Sequence, residues 1–232
     1  MDICEDTRNE DGGRITCPVK ASLQQWLIDN EDCPKQDSQE WLDAKKSTIG
    51  GSEMASLDGG NPFNRKPACL DLIYSKLGLN PFISNVKTQW GKMFEWVIQN
   101  YVERDLDIEI LGTNLFLRGK SPNQTYSPDG VGVVPDSVWD DPEEENTDDS
   151  DRIPDESKIV LFEFKCPYNR KLNGYIPKYY LPQVLAGLET IDICDYGLYI
   201  EAMFRRCAWM DLDWTKKYDR QLTPADLKTE ER

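Results

Sequence analysis

Histidine does not occur anywhere in the 232 residues of this chain. Its absence excludes Ser-His-Asp and Cys-His nucleophilic sites, histidine-ligated zinc and the HExxH metalloproteases. Any hydrolytic chemistry must therefore run on carboxylates, lysine and a hard metal ion such as magnesium, which takes oxygen ligands. No apolar run approaches the roughly 20 residues that span a bilayer, so no membrane partner is expected. The opening MDICEDTRNEDGG is acidic and polar, with neither a positive n-region nor an apolar h-region, and no secretory signal is expected. Seven cysteines, at 4, 17, 33, 69, 166, 194 and 207, include no CxxC pair. An odd, scattered set reads as free thiols in a reducing compartment, the cytosol or nucleus.

Basic charge is also scarce: the formal net charge is −15. That looks hostile to nucleic acid, whose binding needs phosphates neutralised. The distribution removes the objection. Residues 1–40 carry 10 acids and 4 bases, and residues 136–157 carry 11 acids and one base. The remainder holds 21 acids and 22 bases, a net of +1. Most of the acidity lies in two segments outside the candidate core.

Residues 1–37 are polar and turn-rich apart from an apolar patch at Leu23, Trp26, Leu27 and Ile28, and read as an N-terminal arm. Residues 38–232 read as one domain, with 136–157 as a solvated acidic loop inserted in it. Ser38 caps a first predicted helix, with Glu40 early in it and Trp41, Leu42 and Ala44 available for burial. After Gly50-Gly51, Ser52 reads as the N-cap of a short helix through Leu57. Asp58-Gly59-Gly60-Asn61-Pro62 is a turn cluster, and a helix is expected from about Pro67 to Leu77. The longest helical pattern runs from about Val86 to Arg104, where Trp90, Phe94, Val97, Ile98 and Tyr101 form an apolar stripe. The period then changes: 108–118, 124–134 and 158–165 read as strands. A helix at about Tyr179–Thr190 and a hairpin of 196–203 with 206–212 complete the order, which predicts an α/β fold with a mixed central sheet flanked by helices.

Two strand segments carry the chemistry: Ser127-Pro128-Asp129-Gly130 and Leu161-Phe162-Glu163-Phe164-Lys165-Cys166-Pro167. Alternate residues of a strand share a face, so Glu163 and Lys165 project together while Phe162 and Phe164 face the other way. Charges on an otherwise apolar strand are costly to bury without a purpose. A magnesium ion supplies one, with Asp129 and Glu163 as hard oxygen donors and Lys165 orienting the attacking water. An exposed Glu–Lys pair and an Asp-Gly turn are each common strings; together and in order they are far less so. Ser52 opens a helix whose unpaired N–H groups form an anion site, or is an ordinary N-cap. Arg170, Lys171 and Lys178, interleaved with Tyr168, Tyr175 and Tyr179, suit backbone tracking and base stacking, or form a solvated loop.

The Asp…Glu-x-Lys order resembles the PD-(D/E)xK nuclease superfamily, with its restriction-endonuclease-like core. The surrounding residues are more specifically similar to the lambda exonuclease and YqaJ-type viral recombinase nucleases. Trp41–Met54 (WLDAKKSTIGGSEM), Trp90–Glu95 (WGKMFE), Ser127–Gly130 (SPDG), Glu163–Pro167 (EFKCP) and Tyr180–Gln183 (YLPQ) carry the match. The resemblance implies a 5′→3′ exonuclease acting on double-stranded DNA ends in viral or phage recombination, repair or genome processing, inside an infected host cell. It implies Mg²⁺, with Mn²⁺ substituting, as two ions. Asp129, Glu163 and the Phe164 main-chain carbonyl would hold one, and Glu95 would assist the second. It places Gln183 on the catalytic lysine or the attacking water, and Lys45 and Ser52 on a 5′-phosphate. Lys45 stands where the family usually has arginine, which replaces a bidentate fork by a point charge. Pro182 fits only a helix that starts at about Tyr180 or Leu181. A single-strand annealing protein and a homo-trimer are the partners the family suggests. A structure-specific endonuclease of the same superfamily and a non-catalytic DNA-end or partner-binding module are the alternatives. Iron–sulfur relatives need a tight C-terminal cysteine cluster that this sequence lacks.

Overall fold

The computed structural model describes residues 17–57, 59–64, 69–80, 83–135, 138 and 157–205, and the backbone of 7–8 and 14–15. The architecture is mixed α/β, built on a mixed sheet flanked by helices. Five helices are described: α1 (Pro18–Asn30), α2 (Gln39–Ser47), α3 (Leu70–Lys76), α4 (Val86–Leu106) and α5 (Leu181–Thr190). Nine short strands accompany them: β1 (Thr7–Arg8), β2 (Arg14–Ile15), β3 (Ile49–Gly50), β4 (Ile110–Leu111), β5 (Leu117–Arg118), β6 (Gln124–Tyr126), β7 (Gly130–Val134), β8 (Lys158–Lys165) and β9 (Tyr196–Glu201).

The central sheet has the order β4-β7-β8-β9. β7 runs antiparallel to β8, with Gly130 opposite Phe162, and β9 runs parallel to β8, with Glu163 beside Tyr199 and Lys165 beside Glu201. β8 is buried on both faces, which is why its sequence reads as a nearly continuous apolar run. Val160, Phe162 and Phe164 pack under α4 through Ile98 and Val102. Ile159 and Leu161 pack with Val131, Val133 and Tyr126 beneath α1 and α5. A smaller sheet of order β3-β6-β5 joins this second layer.

α4 begins where Asn85 Oδ1 accepts from the N–H groups of Lys87 and Thr88, at 2.9 and 3.2 Å. It closes on Asp107 in the left-handed region, φ 52°. Its buried stripe is Trp90, Phe94, Ile98 and Val102, so Tyr101, expected in that stripe, stands exposed. Steps of four keep 90, 94, 98 and 102 on one side, and 101 falls at its edge.

Two other expectations are corrected, and one lies partly outside the described residues. Residues 18–30 of the expected arm form helix α1, whose Val19, Leu23, Trp26 and Leu27 pack against the core. Pro18 in the first turn and an i, i+4, i+7, i+8 spacing are the physical basis. The short segment after Gly50 is a 3-10 turn, Gly51–Ser56, capped at Gly50 rather than Ser52. The Gly50 N–H donates to Glu53 Oε2 at 2.8 Å, which leaves the Ser52 side chain exposed. β9 pairs with β8 after the α5 crossover; the second strand of the expected hairpin, 206–212, lies outside the described residues. So do the acidic segment, apart from Val138 and Ser157, and the expected start of α3 at Pro67.

Leu23 is 2% exposed whereas Ile28, on the same helix, is 60% exposed. Leu23→Ala is expected to cost about 2–5 kcal/mol in urea denaturation. Ile28→Ala should stay within about 0.5 kcal/mol of wild type.

Candidate active site

The end of β8 meets the start of β7, the first turn of α5 and the 3-10 turn. On β8 the row Ile159, Leu161, Glu163 continues the α1/α5 layer of the core, so the Glu163 carboxylate is carried inside it, 0% exposed. Three donors satisfy it. Tyr126 Oη donates to Oε2 at 2.8 Å, and Gln183 Nε2 and Lys165 Nζ both donate to Oε1. Asp129, just before β7, accepts the Phe164 N–H on Oδ2 at 2.8 Å, which fixes its carboxylate against the neighbouring strand. The Lys165 ammonium also donates to the Phe164 carbonyl oxygen at 3.0 Å and lies 3.6 Å from Asp129 Oδ2. Tyr180 covers it, with the ring centroid 5.5 Å from Nζ.

The Asp129 and Glu163 carboxylates and the Phe164 carbonyl thus converge on one cationic nitrogen. Glu95, half-buried on α4, enters the same field. Burial, then the charge of Asp129, raises its pKa. Burial also pushes the Glu163 carboxyl up, against the opposing pull of Lys165. Burial alone would lower the pKa of Lys165, but Asp129 and Glu163 outweigh it and hold the ammonium protonated. Burial and the Glu163 charge likewise keep the Tyr126 phenol a donor. The centre therefore concentrates carboxylates around a single lysine. Its candidate donors are hard oxygens without sulfur or imidazole, a set whose chemistry fits a hard ion such as Mg²⁺ or Mn²⁺. Among the described residues, no three acidic or cysteine side chains stand together at metal-ligand spacing. The third oxygen is the Phe164 main-chain carbonyl, with the ammonium between.

Two of these groups depart from the sequence reading. Gln183 holds Glu163 rather than the lysine, and α5 begins at Leu181, so Pro182 falls in its first turn. Tyr126 was not singled out at all. Its ring, 1% exposed, lies between two glycines: a Cβ on Gly51 would come within 2.5 Å of it, and one on Gly187 within 2.5 Å as well. A tyrosine three residues before Asp129 on a buried strand was the available signal.

The basic residues divide. Lys45, at the end of α2, lies over the Trp41 ring at 4.3 Å, and burial lowers its pKa despite Glu53 nearby. Lys76 and Lys92 share its electrostatic surroundings, and the Lys76 ammonium donates to Glu53 and to the Lys45 carbonyl oxygen, each at 2.7 Å. Lys171 and Lys178 are exposed. Arg170 is not a free cation. Both its terminal nitrogens donate to Glu201, which also accepts from Tyr199 Oη.

Two carboxylates and a lysine, carried in this order at neighbouring strand ends, define a carboxylate–lysine centre. A model of the YqaJ-like viral recombinase domain matches residues 40–192. Two relatives from African swine fever virus, in tick isolates from Malawi and South Africa, are each 30% identical over 209 and 207 residues. Those matches take in 84% of this chain and 58% of each relative, so the chain spans less than two thirds of their length. An alkaline exonuclease from Laribacter hongkongensis aligns with a TM-score of 0.45 at 14% identity, over 70% of this chain and 74% of that one. The same enzyme in complex with dAMP aligns with a TM-score of 0.47 at 14% identity, over 71% and 73%. The chain belongs to the YqaJ-like viral recombinase domain family.

Tyr126→Phe keeps the ring and removes one donor from a buried carboxylate. It is expected to lower stability by about 1–3 kcal/mol in chemical denaturation.

Proposed function

We propose that this chain is a Mg²⁺-dependent deoxyribonuclease that degrades double-stranded DNA from its ends in the 5′→3′ direction. The observation that carries the proposal is the convergence of Glu163 Oε1, the Phe164 carbonyl and Asp129 Oδ2 on one positive centre, Lys165 Nζ. Three oxygens that gather around an ammonium at the end of a central strand are suited to a hard cation. Asp129, Glu163 and the Phe164 carbonyl would hold it, with Glu95 assisting a second. Mg²⁺, when bound, supplies Lewis acidity and a water of lowered pKa.

The chain's own residues do the rest. Tyr126 and Gln183 fix both oxygens of Glu163, so its carboxylate needs no reorganisation as charge develops. Lys165, held protonated by its two carboxylates, orients the nucleophile and offsets charge building on the phosphate. Lys45 and Ser52 receive the 5′-phosphate of the DNA end. With Arg170 committed to Glu201, backbone contacts on the far side fall to Lys171 and Lys178.

End-labelled linear duplex, with 5′-phosphate or 5′-hydroxyl ends, should be degraded only with Mg²⁺ or Mn²⁺, and faster when phosphorylated. A closed circular control should survive; cutting of the circle would favour the endonuclease reading. Lys165→Ala and Asp129→Ala should each lower the rate about a hundredfold or more while the protein stays folded. A purified Lys165→Ala protein that cuts at the wild-type rate rejects this centre.

A further inference from the structure

Residues 59–64 follow the 3-10 turn and are tied to its buried end. Asn61 Nδ2 donates to Ser56 Oγ at 3.0 Å, and Ser56 Oγ donates to Asn64 Oδ1 at 3.2 Å. Asn61 Oδ1 accepts the Phe63 N–H at 3.0 Å, and the Asn61 carbonyl oxygen accepts the Asn64 N–H at 3.2 Å. A loop held by four such bonds has a fixed shape, and that shape holds Phe63 out in water, 71% exposed. Keeping a phenyl ring wet is unfavourable, and this loop is organised to do it.

The ring is connected to the candidate centre through two tyrosines. It meets Tyr179 edge to face, centroids 5.5 Å apart at 84°. Tyr179 is 4.5 Å from Tyr180, and Tyr180 covers the Lys165 ammonium. An edge contact uses the rim of one ring, leaving π-surface free to stack. Exposed Lys178 adjoins Tyr179 in sequence and adds positive charge beside the aromatics. A flat apolar face, a nearby cation and a phosphodiester-cutting centre together match one ligand chemistry, that of a nucleotide. A base inside a duplex already has both faces stacked, so only a base released at the end has a face to offer.

We propose that Phe63, braced by Tyr179, is a stacking subsite for a nucleobase unpaired at the DNA end. The proposal rests on the nuclease reading above and adds to it a contact with a base rather than with phosphate.

The test uses the full chain carrying Lys165→Ala, so that DNA stays uncut, and 5′-phosphorylated duplexes with 2-aminopurine at the first, second or third position of either strand. Binding should quench the probe at one or two of these positions. Adding Phe63→Ala should abolish the quench and weaken binding roughly tenfold, with the melting temperature unchanged. Phe63→Tyr should restore both, and Phe63→Leu, apolar but without a π-face, should not. A leucine variant that quenches and binds like the parent overturns the subsite, as does an alanine variant that does so. If the wild-type chain degrades linear duplex while these variants behave alike, the subsite alone falls. If the wild-type chain neither binds nor degrades DNA, the nuclease reading falls with it.

Discussion

A carboxylate with no exposed surface is expensive, and Glu163 is one. It persists because donors reach it from three directions: Tyr126 from β6, Gln183 from α5 and Lys165 from its own strand. Removing any one would leave a lone pair or a charge unmatched in a low-dielectric interior. Those donors in turn fix how the surrounding elements approach. The Tyr126 ring lies against Gly51 and Gly187, where no side chain fits, so the 3-10 turn and α5 can close on it only as bare backbone. The polar centre therefore sets the packing of the apolar layer around it, which inverts the usual order of dependence between core and site.

The same constraint explains the uneven placement of charge. Carboxylates gather around Lys165 at the end of β8, while Lys76 pairs with Glu53 of the 3-10 turn, Lys45 feels the same glutamate, and Lys92 acts on both Lys45 and Glu95. The net charge of −15 says little about this, because most of it is carried by residues 1–40 and 136–157 rather than by the centre itself.

Features of period two or four were legible in the sequence. The alternation in LFEFK set Glu163 and Lys165 on one face and the phenylalanines on the other, which is how β8 is built. The i, i+4 recurrence from Trp90 located α4 to within two residues of its end. Features that depend on which side chain a group pairs with were not legible. Ser52 has the residue type of an N-cap, but a contact from Glu53 to the Gly50 N–H moved the start of the turn. Arg170 looked like a free cation until β9 brought Glu201 alongside Lys165 in register. Tyr126 looked like one more strand aromatic, because nothing local reveals where its hydroxyl ends. Helix α1 hid in a polar stretch, since four apolar positions are enough to cover a core but not to dominate a composition.

The parallel pairing of β8 with β9 requires a crossover, and α5 provides it. Residues 158–201 therefore bring the glutamate, the lysine, the tyrosine lid, the glutamine brace and the Arg170–Glu201 staple as one uninterrupted piece of chain. The aspartate, the phenol and Glu95 of α4 are met from outside it. Such a piece is self-contained: what surrounds it is free to diverge as long as the aspartate, the phenol and the α4 glutamate still reach it from their separate elements.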